Sequence, residues 1–174
     1  MKQLRPSDWP ADVALTIRIR VGETLSITLT TTNHSVRSVQ FTEGLHTYFQ
    51  ISDIANIRVL GLEGKSYIDL INKNEQRKQE DVITFDGELG RIFLDNQSTC
   101  VIEDPGFKRS IRIEKKGSNS TAIWNPGLNV ASKMDDLGAT GWRDMVCVES
   151  ANALTNKVTL ASKKEHVHHA VYSV

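Results

Sequence analysis

A chain of 174 residues with 39% hydrophobic and 24% charged side chains sits close to the globular average, which excludes collagen-like, disulfide-dense and largely disordered classes. Its 21 Lys plus Arg balance 21 Asp plus Glu, so no net field draws it to phosphate backbones or anionic surfaces, and neither a nucleic-acid nor a membrane partner is expected. Cys100 and Cys147 stand far apart with no CxxC partner and read as free thiols; with no apolar N-terminal stretch and no run of about 18 apolar residues, the expectation is a soluble cytoplasmic chain.

Hydrophobic periodicity is near two through most of the chain. Leu15, Ile17, Ile19 and Val21 alternate with Thr16, Arg18 and Arg20, and Leu25, Ile27 and Leu29 with Ser26, Thr28 and Thr30. That pattern predicts a hairpin turning at Gly22-Glu23-Thr24, with Asn33-His34-Ser35 closing its second strand. Further strands are predicted over 39–49, 57–62, 82–85, 91–94, 100–103, 110–114, 121–124, 145–150, 157–160 and 167–172. Residues 74–81, NEQRKQED, read instead as a solvated loop or short polar helix. The turn cluster Trp124-Asn125-Pro126-Gly127 and the stretch 133–143, with Asp135-Asp136 and two glycines, predict long loops at one rim. No segment carries a 3.6-residue apolar stripe and no internal repeat is visible. The prediction is one all-β domain over 1–174, a sandwich or barrel of antiparallel sheets, large enough to bury roughly 70% of its unfolded surface.

Three groups of residues are candidates for chemistry. His46 lies in an aromatic-rich strand, Phe41 to Phe49, and is either a satisfied sheet histidine or one half of an acid–base pair. Glu149 ends Met145-Val146-Cys147-Val148-Glu149, where alternation puts Met145, Cys147 and Glu149 on one face; a carboxylate on that apolar face is either paired, with an arginine for instance, or functional. In Glu165-His166-Val167-His168-His169, strand parity points His166 and His168 one way and His169 the other, which does not make a metal shell. Phosphate-cradling GxxxxGK, GxGxxG, GxSxG and HExxH motifs are all missing, so nucleotide, serine-hydrolase and zincin chemistry find no support.

Taken in order, GLHTYFQISDIANIRVLGLEGKSYID (44–69), WNPG (124–127), KMDDLG (133–138) and WRDMVCVESAN (142–152) resemble the hexose-6-phosphate mutarotases, glucose-6-phosphate 1-epimerases of the aldose 1-epimerase superfamily. The likeness runs from about Trp9 to Tyr172, and LHTYF with VCVE is a specific combination. The resemblance implies a galactose-mutarotase-like β-supersandwich that interconverts α and β anomers of a hexose 6-phosphate or related aldose. By the same resemblance His46 matches the acid at the ring oxygen and Glu149 the base at the anomeric hydroxyl. Arg91, Trp124 and Asn125 are candidate substrate contacts, Trp124 as an apolar platform and Asn125 through its amide. No metal or organic cofactor is required. Reference pKa values of about 6.5 for His and 4.3 for Glu suit a protonated imidazole facing an ionised carboxylate near neutrality.

Two departures from the family pattern shape the expectation. Family members are longer, and the N-terminal region with Arg-Gly-Gly and His-Gly-Phe-Ala-Arg segments that bind sugar and phosphate is not found here. An N-terminally truncated sandwich is therefore expected, whose uncovered sheet edges predict self-association, disorder of the first strands or a compensating homodimer, with weak or absent turnover for want of substrate positioning. Gly90 stands where the family has an aspartate, with Glu88 the nearest acid upstream; losing such a contact costs about 1.5–3 kcal/mol of binding. The alternatives to an enzyme are a non-catalytic sugar-phosphate-binding module and an inactive fragment, and exchange that is indifferent to Glu149 would mark either.

Overall fold

The computed structural model describes residues 12–138 and 140–174, so Trp9 lies outside the described residues. In chain order its strands are β1 (Val13–Val21), β2 (Leu25–Asn33), β3 (Val39–Phe41), β4 (Glu43–Leu45), β5 (Tyr48–Gln50), β6 (Arg58–Leu60), β7 (Ser66–Asp69) and β8 (Glu75–Lys78). There follow β9 (Leu89–Phe93), β10 (Cys100–Asp104), β11 (Arg109–Lys116), β12 (Ser120–Asn125), β13 (Met145–Asn152), β14 (Val158–Leu160) and β15 (Glu165–Ser173). One short helix, α1 (Gly127–Ala131), and 3₁₀ turns at Gly141–Asp144 and Leu154–Asn156 complete the described elements. None of these helices is long and apolar enough to cross a membrane.

Two antiparallel sheets face each other. The first has the order β1-β2-β15-β11-β10-β6, and the second β4-β13-β12-β9-β7-β8 with β5 also paired to β13; β3 and β14 form a separate ribbon. The core lies between the sheets because alternation sends one apolar row of each strand inward. Ile102, Ile111, Ile113, Ala170 and Tyr172 from the first sheet meet Phe93, Ile123, Val146 and Val148 from the second. Complete burial of one such Ile or Val contributes about 1.5–3 kcal/mol, so this interface is the main source of stability.

The first hairpin has the predicted register, Ile17↔Leu29, Ile19↔Ile27 and Val21↔Leu25. Its inward apolar row overhangs the opposite sheet, leaving Ile17 62%, Ile19 60% and Val21 83% exposed on edge strand β1. β15 is not peripheral: it fills the middle of the first sheet, pairing with β2 on one side and β11 on the other.

Three expectations are corrected. The strand over 39–49 is broken into β3, β4 and β5, because the pairing switches from β14 to β13 and is then interrupted at residues 46–47. Residues 74–81 contain strand β8, whose residues are exposed on both faces, so its composition is polar without alternation. The turn into it uses Lys73 and Asn74 at φ 54° and 59°, a left-handed conformation suited to hairpins. Residues 82–85 are not a strand and make only an isolated bridge, Val59↔Ile83. The rim loops at 124–127 and 133–143 also carry short helical turns, α1 and 141–144.

Candidate functional site

β13 sets the site. Its register with β12 and β9 places Glu149 beside Ala122 and Ile92, and Cys147 beside Trp124 and Gly90. By strand parity these residues occupy the outer face of the second sheet, whereas Val146, Val148 and Ile123 point into the core. His46 enters from the interruption between β4 and β5: Leu45 pairs with Ser150 and Tyr48 with Cys147, so residues 46–47 lie opposite Val148 and Glu149. The break is held by Thr47, whose N–H bonds Leu45 O at 2.9 Å and whose hydroxyl hydrogen-bonds Tyr172 Oη at 2.9 Å.

The two predicted residues meet. His46 Nδ1 is 3.4 Å from Glu149 Oε1, with the imidazole 54% exposed and the carboxylate 14% exposed. The partner of Glu149 is this histidine and not an arginine. Burial pushes the Glu149 carboxyl above its ordinary range, and the His46 charge acts against that shift. The imidazole is more open than an aromatic-rich strand suggested. Tyr48 stacks on it at 4.9 Å, and Trp124 meets it edge-on at 5.9 Å. The result is a shelf with an imidazole–carboxylate pair at its floor and aromatic rings beside it, which offer flat apolar faces. Cys147 Sγ lies beneath, 3.6 Å from His46 Nδ1. Burial raises this thiol well above the ordinary range. His46, Cys147 and Glu149 bring three potential metal-ligating atoms within 4.8 Å of one another.

Two other expected contacts are placed elsewhere. Arg91 pairs across to Ile123 and Asp69, which puts its side chain on the face opposite Glu149; there it bonds Gln79 and covers the Tyr67 ring at 4.9 Å. A strand period of two explains the miss, since neighbouring Gly90 and Ile92 are the β9 residues on the site face. Asn125 is fully buried, and its amide donates to Trp142 O at 2.7 Å and Met145 O at 2.9 Å while its oxygen accepts from Gly127 N at 2.9 Å. No hydrogen-bonding group of Asn125 is left for a substrate hydroxyl. Gly90 faces Leu70 and Ile71, where an added Cβ would sit 3.2 Å from Leu70 Cβ, so an apolar wall stands where the family pattern carries an acid.

The C-terminal histidines serve a different cluster, which sequence spacing concealed. His166 donates to Glu43 Oε1 at 2.8 Å, Asn152 donates to the same oxygen at 2.8 Å, and His168 Nδ1 lies 3.2 Å from it. Ser150 closes the network on His168 Nε2 at 2.6 Å. Burial opposes ionisation of Glu43, but the bonds from His168 and Asn152 and the charges of both imidazoles outweigh it and hold the carboxyl below its ordinary range. His169 points away, to Thr28, as parity predicted. A cleft on the first sheet, lined by Arg58, Glu103, Asp104, Lys108 and Arg109, is unrelated to the pair, and its charges largely engage one another.

A family model described as Aldose 1-epimerase matches residues 2–173. A protein of Cenchrus ciliaris is 33% identical over 172 residues, covering 93% of this chain and 52% of the relative; one from Escherichia coli K12 is 36% identical over 160 residues, covering 91% and 53%. Both are named provisionally as glucose-6-phosphate 1-epimerases. The crystal structure of a Salmonella typhimurium protein provisionally assigned as a mutarotase, YeaD, superposes with a TM-score of 0.86 at 28% identity, covering 98% of this chain and 58% of that one. The chain thus has the antiparallel architecture of mutarotase structures and spans about half the length of the curated relatives it matches.

Proposed function

Because the chain belongs to the aldose 1-epimerase family, we propose that it interconverts the α and β anomers of a hexose 6-phosphate, with His46 as acid and Glu149 as base, as a cytoplasmic β-sandwich domain over residues 1–174. The observation that carries this reading is the approach of His46 Nδ1 to Glu149 Oε1, 3.4 Å, on an open face bordered by Trp124 and Tyr48. The choice of substrate rests on the names of the relatives.

The chemistry follows from the pair. Glu149 takes the proton of the anomeric hydroxyl, the O1 electrons form the C1=O1 bond, C1–O5 breaks, and protonated His46 gives its proton to O5. C1–C2 rotates. On closure the C5 hydroxyl attacks the other face of C1, neutral His46 recovers the O5 proton and Glu149 returns its proton to O1, so the pair ends as it began. Partial burial suits Glu149 to this task because it makes the carboxylate a stronger base than an exposed glutamate, while the adjacent imidazolium keeps it ionised. Trp124 and Tyr48 give the sugar ring an apolar shelf, and no cofactor enters.

A second reading is favoured by the wall at Gly90. With Leu70 and Ile71 in place of an acceptor, and Arg91 on the far face, the sugar is gripped on one side only, which supports weak binding or a non-catalytic sugar-phosphate module. Two-dimensional exchange NMR on the anomers of glucose 6-phosphate separates the readings. The chain should exceed the uncatalysed exchange, and Glu149→Gln should remove about 10²–10⁴-fold of the excess. Equal exchange with the chain, the variant and buffer alone would refute the enzyme. The uncovered row on β1 further supports self-association through that edge.

A further inference from the structure

The thiol beneath the acid–base pair plays no part in anomer exchange, yet it completes a donor set of a recognisable kind. Imidazole nitrogen, thiolate sulfur and carboxylate oxygen are the three ligand types that proteins offer to zinc, at about 2.0–2.1, 2.3 and 2.0–2.2 Å. Around a tetrahedral ion those bond lengths place nitrogen and oxygen about 3.4 Å apart, and sulfur and nitrogen about 3.6 Å apart. The structure has His46 Nδ1 to Glu149 Oε1 at 3.4 Å and Cys147 Sγ to His46 Nδ1 at 3.6 Å. All three donor atoms lie within 4.8 Å of one another, and a side-chain rotation that brings the Cys147 sulfur and the Glu149 oxygen to about 3.6 Å closes the remaining edge.

The surroundings suit the same occupant. The three residues come from the interrupted edge of one sheet: His46 from the break between β4 and β5, Cys147 and Glu149 from alternate positions of β13 that share a face. Cys147 is fixed by pairing on both sides of β13 and Glu149 by pairing with β12, while His46, 54% exposed, lies on the solvent side and leaves a path for an ion. No arginine or lysine competes for Glu149, whose ion-pair partner among the described residues is His46. Tyr48 and Trp124 wall the place with rings and limit the water around it.

We propose that His46 Nδ1, Cys147 Sγ and the Glu149 carboxylate form a three-donor site for Zn²⁺ with its fourth vertex open to the substrate face, and that Zn²⁺ bound there inhibits anomer exchange. On binding, the Cys147 S–H bond breaks, its proton passes to solvent and an S–Zn bond forms. His46 gives its Nδ1 lone pair and keeps its proton on Nε2, and Glu149 gives a carboxylate lone pair. The charge of the bound ion then lowers the basicity of the Glu149 carboxylate towards the anomeric hydroxyl, and the acid is no longer an imidazolium. The thiolate favours zinc, whereas Mg²⁺ prefers an octahedron of oxygens and should not compete. Inhibition rests on the acid–base reading of the same pair; metal binding does not.

The test uses the whole 174-residue chain, stripped with EDTA and titrated with Zn²⁺ against a chromophoric chelator, with Co²⁺ as a spectroscopic probe. One ion per chain is expected, with a thiolate-to-cobalt charge-transfer band. Cys147→Ser should lose the band and weaken Zn²⁺ binding by at least about 10-fold, Cys100→Ser should change neither, and Mg²⁺ should leave Zn²⁺ binding unaltered. If Cys147→Ser fails to fold, His46→Gln, at an exposed position, should show the same loss of affinity. In the exchange assay Zn²⁺ should suppress the wild-type rate, EDTA should restore it, and Cys147→Ser should keep the basal rate while resisting Zn²⁺. Absence of stoichiometric binding, or binding indifferent to both substitutions, overturns the site. Exchange that persists with the site saturated overturns the inhibition. A chain without exchange even in EDTA refutes the catalytic reading, and the binding titration and cobalt band still decide the metal site.

Discussion

Asn125→Ala separates a structural amide from a substrate contact. In the structure the amide donates to Trp142 O at 2.7 Å and Met145 O at 2.9 Å and accepts from Gly127 N at 2.9 Å, with no exposure to water. Each bond contributes about 1 kcal/mol net, and a buried partner left without one costs about 1–3 kcal/mol. Truncation therefore removes about 3–5 kcal/mol, a large share of the 5–15 kcal/mol typical of a folded domain. In urea, with a slope of about 1–3 kcal/mol/M, the unfolding midpoint should fall by about 1–5 M. Asn125→Asp should do no better: it keeps an acceptor for Gly127 N but sets a buried carboxylate against two carbonyl oxygens. A substitution that left the urea midpoint within experimental error and instead raised KM for the sugar would refute this assignment and return Asn125 to the substrate.

The Glu43 network gives a prediction with a definite sign. Its carboxyl is held below the ordinary value of 4.5, so its charge adds stability above that pH, and the benefit is lost as the pH falls through the lower value of the folded chain. Wild type should thus unfold at higher urea than Glu43→Gln at neutral pH, and the difference should shrink on acidification below about 4.5; a difference that stays constant down to acid pH would refute it. The apolar row on β1 predicts an average mass above 19.4 kDa that rises with concentration in sedimentation equilibrium. Ile19→Lys, at a position 60% exposed, should return the chain to monomer without lowering its thermal midpoint.

Much of this arrangement was legible because strands write alternation into the chain. The β1–β2 register, the shared face of Cys147 and Glu149, and the divergence of His169 from its two neighbours follow from a period of two. What remained hidden depends on pairings between distant segments. Residues 74–81 read as a solvated loop or short polar helix because β8 is solvated on both faces and carries no alternation. The face that Arg91 takes could not be read locally because β9 has apolar residues on both, Leu89 and Phe93 inward and Ile92 outward, and a one-residue offset reverses every side chain. Asn125 lay in a turn-like WNPG, where an exposed amide was the natural inference, and only the packing of 141–145 over it shows the reverse. Glu43 and the histidines of β15 are separated by more than 120 residues, and nothing local to either announces the other.

The central position of β15 has a consequence for the order in which the molecule can be assembled. During synthesis β2 and β11 are made well before residues 165–173, yet each lacks its second sheet neighbour until that segment arrives. The hairpin β1–β2 must wait with one edge unsatisfied, and so must the pair β10–β11. The first sheet is thus two separate ribbons throughout most of translation and becomes continuous only when β15 threads between them. Late closure of this kind makes folding slow, since pairing β2 to β15 spans most of the chain. It also makes the waiting edges the place where a nascent chain would be captured by a chaperone or by another copy of itself.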